Sequence, residues 1–137
     1  GNLAYWSNYS NGYTVDTTVK RSGEQSIKIV NGGAKQWVSV AADAGSQVTI
    51  RGYGKAVGTT SGLWDHGIYA DVAYADGTNL WGQIANLPGG THDWTLAETT
   101  FVAEKAVVGM NLYAMYRNDV DSPAGVTYFD DFEVTVS

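Results

Sequence analysis

The residues of this sequence best suited to chemistry are Arg51, Tyr53, Tyr69, Asp71, Trp81, Gln83, Asn111, Tyr113 and Arg117. Together they suit a ring that has an apolar C–H face and a rim of hydroxyls, as a pyranose does. Aromatic side chains stack on the C–H face, bringing much contact area with few rotors to freeze. Arg, Asp, Asn and Gln satisfy the rim, and a hydrogen bond to a charged partner contributes about 1.5–3 kcal/mol. Trp81 is the strongest single candidate. Trp37 is placed at the edge of the same surface, and Trp64, in the loop from Gly62 to Gly67, at its rim. Trp6 and Trp94 are read as structural.

Positioning these groups requires strands. Short alternating segments recur between turn signals, the pattern of an all-β sandwich or barrel. Segments at 26–30, 37–40, 47–55, 68–74, 79–84, 92–102, 107–117 and 128–136 read as strands, with Ala75-Asp76-Gly77-Thr78 as a hairpin turn. No window carries a capped helical stripe. Since side chains alternate along a strand, Val48, Ile50, Ile68, Ala70, Val72, Leu80, Ile84, Val108, Met110, Leu112 and Ala114 are expected inside. Arg51, Tyr53, Tyr69, Asp71, Trp81, Gln83, Asn111, Tyr113 and Arg117 then share the non-core side, and a single polar–aromatic sheet surface is the economical expectation.

Composition bounds the partners. The 137 residues suit one domain, taken as 1–137, long enough to bury a core without staples. The absence of cysteine excludes disulfides and thiolate chemistry. A net charge of −6 disfavours nucleic acid and anionic membrane surfaces. No apolar run approaches the roughly 20 residues of a membrane-spanning helix. Charged residues are only 16%, against about 25% in typical domains. The start at Gly1-Asn2 reads as a cut from something longer.

Catalytic constellations are weak. Glycoside hydrolysis needs two carboxylates flanking a bond, about 5–9 Å apart. Asp65 and Asp71 could form such a pair across the expected surface; none of Glu24, Glu98, Glu104 and Glu133 sits in a catalytic signature. His66 and His92 lack zinc spacing, and no serine stands in a nucleophile elbow.

Four stretches carry a resemblance: 22–29 (SGEQSIKI), 67–78 (GIYADVAYADGT), 90–94 (GTHDW) and 128–134 (YFDDFEV). In that order and spacing the chain resembles carbohydrate-binding modules of families 4, 9 and 22, along nearly its whole length. The resemblance implies a β-jelly roll of two antiparallel sheets with a concave glycan-binding face. It implies a non-catalytic module that holds a covalently linked polysaccharide-degrading domain on its substrate, in a protein secreted by a bacterium, with the module monomeric. It also implies a structural calcium ion, with Asp130 matching the usual carboxylate ligand and Asn2, Gln25, Glu24 and Asp16 as further candidates. The acidic residue usual in the first strand is missing from Leu3-Ala4-Tyr5-Trp6. Two rival expectations stay open: a small polysaccharide lyase or hydrolase on the same fold, and a structural or adhesion spacer.

Overall fold

The computed structural model describes residues 6–23, 25–118 and 123–137. Ten strands make up the regular structure of these residues: β1 (Ser7–Tyr9), β2 (Thr14–Asp16), β3 (Ser26–Ile29), β4 (Gly32–Ala42), β5 (Gln47–Thr59), β6 (His66–Tyr74), β7 (Asn79–Asn86), β8 (Gly90–Val102), β9 (Val107–Tyr116) and β10 (Val126–Val136). They form two five-stranded antiparallel sheets, β1-β4-β9-β6-β7 and β2-β3-β10-β5-β8. This is the expected β-sandwich of jelly-roll type.

Alternation explains the core. Val48 and Ile50 of β5 face Ile68, Ala70 and Val72 of β6 and Met110, Leu112 and Ala114 of β9, all buried with Ile27, Ile29 and Phe129. Trp6 is buried there too, its ring 4.8 Å from that of Phe132. Burying side chains of this size stabilises by about 1.5–3 kcal/mol each, which holds the layers together.

Three expectations are corrected, each for a physical reason. First, β5 belongs to the second sheet, so Arg51 and Tyr53 lie outside the opposite layer from Tyr69 and Tyr113. There Arg51 pairs with Glu98 at 2.6 Å, and the Arg21 guanidinium sits 3.5 Å above the Tyr53 ring. Second, a β-bulge interrupts β7: Leu80 pairs with Val72, but Gln83 pairs with Ala70 and Ile84 with Tyr69. Paired residues share a face, so Gln83 turns to the core side and Ile84 to the outer side. Third, a register shift at the start of β9 buries Val107 and leaves Val108 exposed.

Candidate functional site

The outer face of the first sheet is a grid whose rows cross the strands. One row runs Ser7, Lys35, Tyr113, Tyr69, Ile84. The next runs Trp37, Asn111, Asp71, with Trp81 and Gly82 of the bulge together opposing Asp71. On the other side of the tyrosines, Tyr9, Gly33 and Met115 share a row. Of the expected residues, this face gathers Tyr69, Asp71, Trp81, Asn111, Tyr113, Arg117, Trp64 and Trp37.

A hollow of about 330 Å³ opens on this face, lined by Tyr9, Trp64, Asp65, Tyr69, Asp71, Tyr113, Met115 and Arg117. Three tyrosines build its wall edge to face: Tyr113 lies 5.0 Å from Tyr9 and 5.4 Å from Tyr69. Rings locked in this way are pre-positioned for stacking, so little entropy is lost when a ligand arrives. Arg117 closes one end, its Nη1 2.5 Å from Asp65 Oδ2 and its Cζ 5.5 Å over the Tyr9 ring. The Arg117 amide also donates to the Asp65 carbonyl at 3.0 Å, fixing the loop that carries Trp64. Further along that loop, the amide of Thr60 donates to the Tyr116 hydroxyl at 2.7 Å.

Asp71 organises the centre. Its Oδ1 accepts from the Gly82 amide at 3.2 Å, and it hydrogen-bonds the Tyr69 hydroxyl. Burial, then that bond and the Asp71 charge, push the Tyr69 hydroxyl up to about 12. Burial and the same carboxylate, with Tyr9, raise the Tyr113 hydroxyl. Both phenols therefore stay protonated donors at any physiological pH. Gly82 adopts φ +76°, a backbone region that L side chains avoid, and this conformation makes the bulge that presents Trp81.

The three outlying indoles are open to solvent: Trp81 is 65% exposed, Trp64 64% and Trp37 49%. Trp37 stands on β4, Trp81 on β7 and Trp64 on the loop before β6, all open to solvent rather than packed in the core. Tyr9, Lys35 and Met115 belong to the same face but were not expected from the sequence. Tyr9 was hidden because the first strand reads as Leu3–Trp6, whereas β1 begins at Ser7.

A larger hollow, about 560 Å³, lies between the edges of β4 and β10. Its walls include Val38, Val40, Phe132 and Val134, which pack against the core. It exists because β1 covers β4 only at Gly33–Lys35 and β3 covers β10 only at Thr127–Phe129. It is a seam between layers, lined also by Gln36, Trp37, Ser39 and Glu133.

Among the described residues, the side chains expected to hold calcium do not gather. Asp130 is buried, but its carboxylate accepts three backbone N–H groups, from Arg21 at 2.9 Å, Ser22 at 3.1 Å and Asp131 at 2.8 Å. Asp16 Oδ1 accepts from Thr18 and Val19 in its own turn, and Gln25 is exposed. Asn2 and Glu24 lie outside the described residues. No group of three or more acidic or histidine side chains gathers among the described residues. A calcium ion wants six to eight oxygens, more than the described acidic side chains bring together on their own. The corner is tied by Arg21, whose Nη1 lies 2.7 Å from Asp131 Oδ2, and by Ser22 Oγ, which donates to Asp131 Oδ1 at 2.5 Å.

The two-sheet sandwich is a fold that solved carbohydrate-binding modules share. Solved structures bear out that fold. The family 22 xylan-binding domain of Xyn10C from Paenibacillus barcinonensis superposes with a TM-score of 0.61 at 15% identity, covering 99% of this chain and 88% of that one. A family 16 carbohydrate-binding module gives 0.62 at 17%, covering 97% and 92%. The family 22 and catalytic modules of Clostridium thermocellum xylanase 10B, complexed with xylohexaose, give 0.67 at 18%, covering 98% of this chain and 26% of that one. No family model matches the sequence, and no curated protein does.

Proposed function

We propose that this domain binds a neutral polysaccharide on the outer face of its first sheet, without cleaving it, and so keeps a linked catalytic domain on its substrate. The observation that carries this reading is the hollow walled by Tyr9, Tyr69 and Tyr113, with Asp71 at its centre and exposed indoles around it. The xylan-binding and xylanase-linked modules of the same fold support it. Tethering raises the local substrate concentration, so modest affinity is enough. Reading the chain as part of a secreted bacterial enzyme, with the module itself monomeric, extends the same proposal.

Neutral glycan is favoured by charge placement. Clustered, uncompensated arginines would suit a uronic acid. Arg51 instead faces away on the other sheet, Arg117 is neutralised by Asp65, and Asp71 repels carboxylates at the centre.

The hydrolase or lyase alternative needs two carboxylates able to act on a bond. Asp65 is engaged by Arg117 and Asp71 by the Gly82 amide and Tyr69, which favours positioning over proton transfer. Affinity electrophoresis across β-glucans, xylan, mannan, agarose, alginate and xanthan tests the proposal. Retardation on a neutral polymer, weakened by Asp71→Ala, supports it. Release of new reducing or unsaturated ends by the purified domain would replace it with the enzymatic reading. Free migration on every polymer would favour a spacer.

A further inference from the structure

Beyond the first-sheet face, we propose a second binding site, for a carboxylate-bearing sugar residue such as a uronic acid, in a cleft between the β1–β2 turn and the end of β3. The cleft holds about 310 Å³, and Asn11, Tyr13, Thr14, Lys28, Val30 and Asn31 line it. It lies on the outer side of the second sheet. Thr14 pairs with Lys28 and Lys28 with Tyr128, while Ile27 and Ile29, on either side of Lys28, are buried in the core. The cleft shares no lining residue with the tyrosine hollow.

Its walls are fixed before any ligand arrives. Tyr13 is pinned twice: its hydroxyl donates to the Trp6 carbonyl at 3.0 Å, and its amide donates to Asn8 Oδ1 at 3.4 Å. On the β3–β4 side, Asn31 Oδ1 accepts from the Asn118 amide at 3.1 Å. The two turns touch, since a Cβ added to Gly32 would stand 2.5 Å from the Gly12 carbonyl oxygen. The half-buried Tyr13 ring and the exposed Val30 offer apolar surface to the C–H face of a sugar. The exposed Asn11 and Thr14 side chains offer hydrogen bonds to its hydroxyls.

Charge decides which sugar. The tyrosine hollow sets Asp65 and Asp71 against Arg117, and the seam between β4 and β10 carries Glu133. This cleft carries Lys28 and no carboxylate. Among the described residues Lys28 forms no ion pair; its ammonium lies 5.9 Å from the centre of the Tyr128 ring. Asp16, the one carboxylate of β2, turns its Oδ1 to the amides of Thr18 and Val19 at 2.8 and 2.7 Å. An ammonium beside hydroxyl-matching groups suits a carboxylate, because a charge-assisted hydrogen bond is about twice as strong as a neutral one. The β1–β2 turn links Tyr9 of the hollow to Tyr13 of the cleft. One module would thus hold neutral and acidic rings at once, with a gain in avidity on polymers that present both.

Amide chemical-shift titrations with methyl glucuronide and tri-galacturonate, beside methyl glucoside and acetate, test the site. The two uronates should shift Gly12, Tyr13, Thr14, Lys28 and Asn31 and leave Tyr69, Asp71 and Tyr113 still. They should bind about tenfold more tightly than the glucoside or acetate. Lys28→Gln should remove most of that preference and Lys28→Arg restore part of it, with melting temperatures close to wild type because the side chain is on the outer face. Raising salt to physiological strength should weaken uronate binding in the wild type and leave Lys28→Gln unchanged. Neutral-glycan binding should be the same in wild type and Lys28→Gln. Acetate binding as tightly as the uronates would overturn sugar recognition in the cleft. Uronate shifts confined to the first sheet, or unaltered by Lys28→Gln, would overturn it as well. A neutral polysaccharide bound with the cleft silent to uronates overturns this inference alone; uronates in the cleft with no neutral glycan bound anywhere overturn the first-sheet reading alone.

Discussion

Mild acid should loosen this sandwich through a single buried histidine. His66 is 1% exposed, on β6 of the first sheet, and its Nε2 lies 2.8 Å from Thr127 Oγ1 on β10 of the second. The Tyr116 ring packs against it at a tilt of 49°, with the ring centres 4.5 Å apart. Burial, with a smaller contribution from the charge of His92, lowers its pKa from 6.5 to about 4. Because the folded value is depressed, the unfolded chain binds a proton between pH 6.5 and 4 that the native state refuses. Stability therefore falls as pH drops through that window and is fully present above it. The change from 6.5 to about 4 is linked to about 3 kcal/mol of stability, of which about 2 kcal/mol is lost by pH 5. At roughly 3 °C per kcal/mol for a domain of this size, the melting temperature should drop by about 6 °C from pH 7 to pH 5. Carboxylates held low add their own losses only at more acid pH. Asp16 is held by the amides of Val19 and Thr18, and Asp76 by Thr78 and Lys105. Calorimetric melts at half-unit steps, compared with His66→Gln, measure the effect. The variant should flatten the slope between pH 6.5 and 5 whatever its absolute stability. An equal slope in both proteins would refute the assignment of acid sensitivity to His66.

Other outcomes follow from placement. Arg51→Ala should leave glycan affinity within twofold of wild type, because the side chain pairs with Glu98 on the far sheet; a large loss in calorimetry would move the site. Tyr113→Ala removes a ring wedged between Tyr9 and Tyr69 and should cost about 1–3 kcal/mol of binding, read by intrinsic fluorescence titration. Gly82→Ala meets no atom within 4 Å, so its cost is backbone strain of about 1 kcal/mol in a melt, together with weaker binding as Trp81 shifts. EDTA should leave the melting temperature within about 1 °C. A fall of several degrees restored by calcium would show that Asp130 holds an ion besides its three amides.

Alternation carried most of the fold. In β5 and β6 every residue expected inside is buried, because uninterrupted strands keep strict parity. Parity fails where a residue is inserted. The Gly82 bulge exchanges Gln83 and Ile84, and the shift at the start of β9 exchanges Val107 and Val108. A glycine between Trp81 and Gln83 is the local signal of the first; nothing local marks the second. Arg51 and Tyr53 fail for another reason. Alternation separates core from surface, but which sheet a strand joins depends on pairing across about a hundred positions, as β10 with β3. Tyr9 was missed because a three-residue strand has too few positions to show a period.

The account's central claim is that ligands meet the first sheet's outer face. Amide chemical-shift mapping during titration with a neutral soluble glycan tests it most directly. The largest shifts should fall on Tyr9, Tyr69, Asp71, Gly82, Asn111 and Tyr113, with Arg51, Tyr53 and Glu98 unmoved. Shifts centred on those last three, or on the seam between β4 and β10, would contradict it.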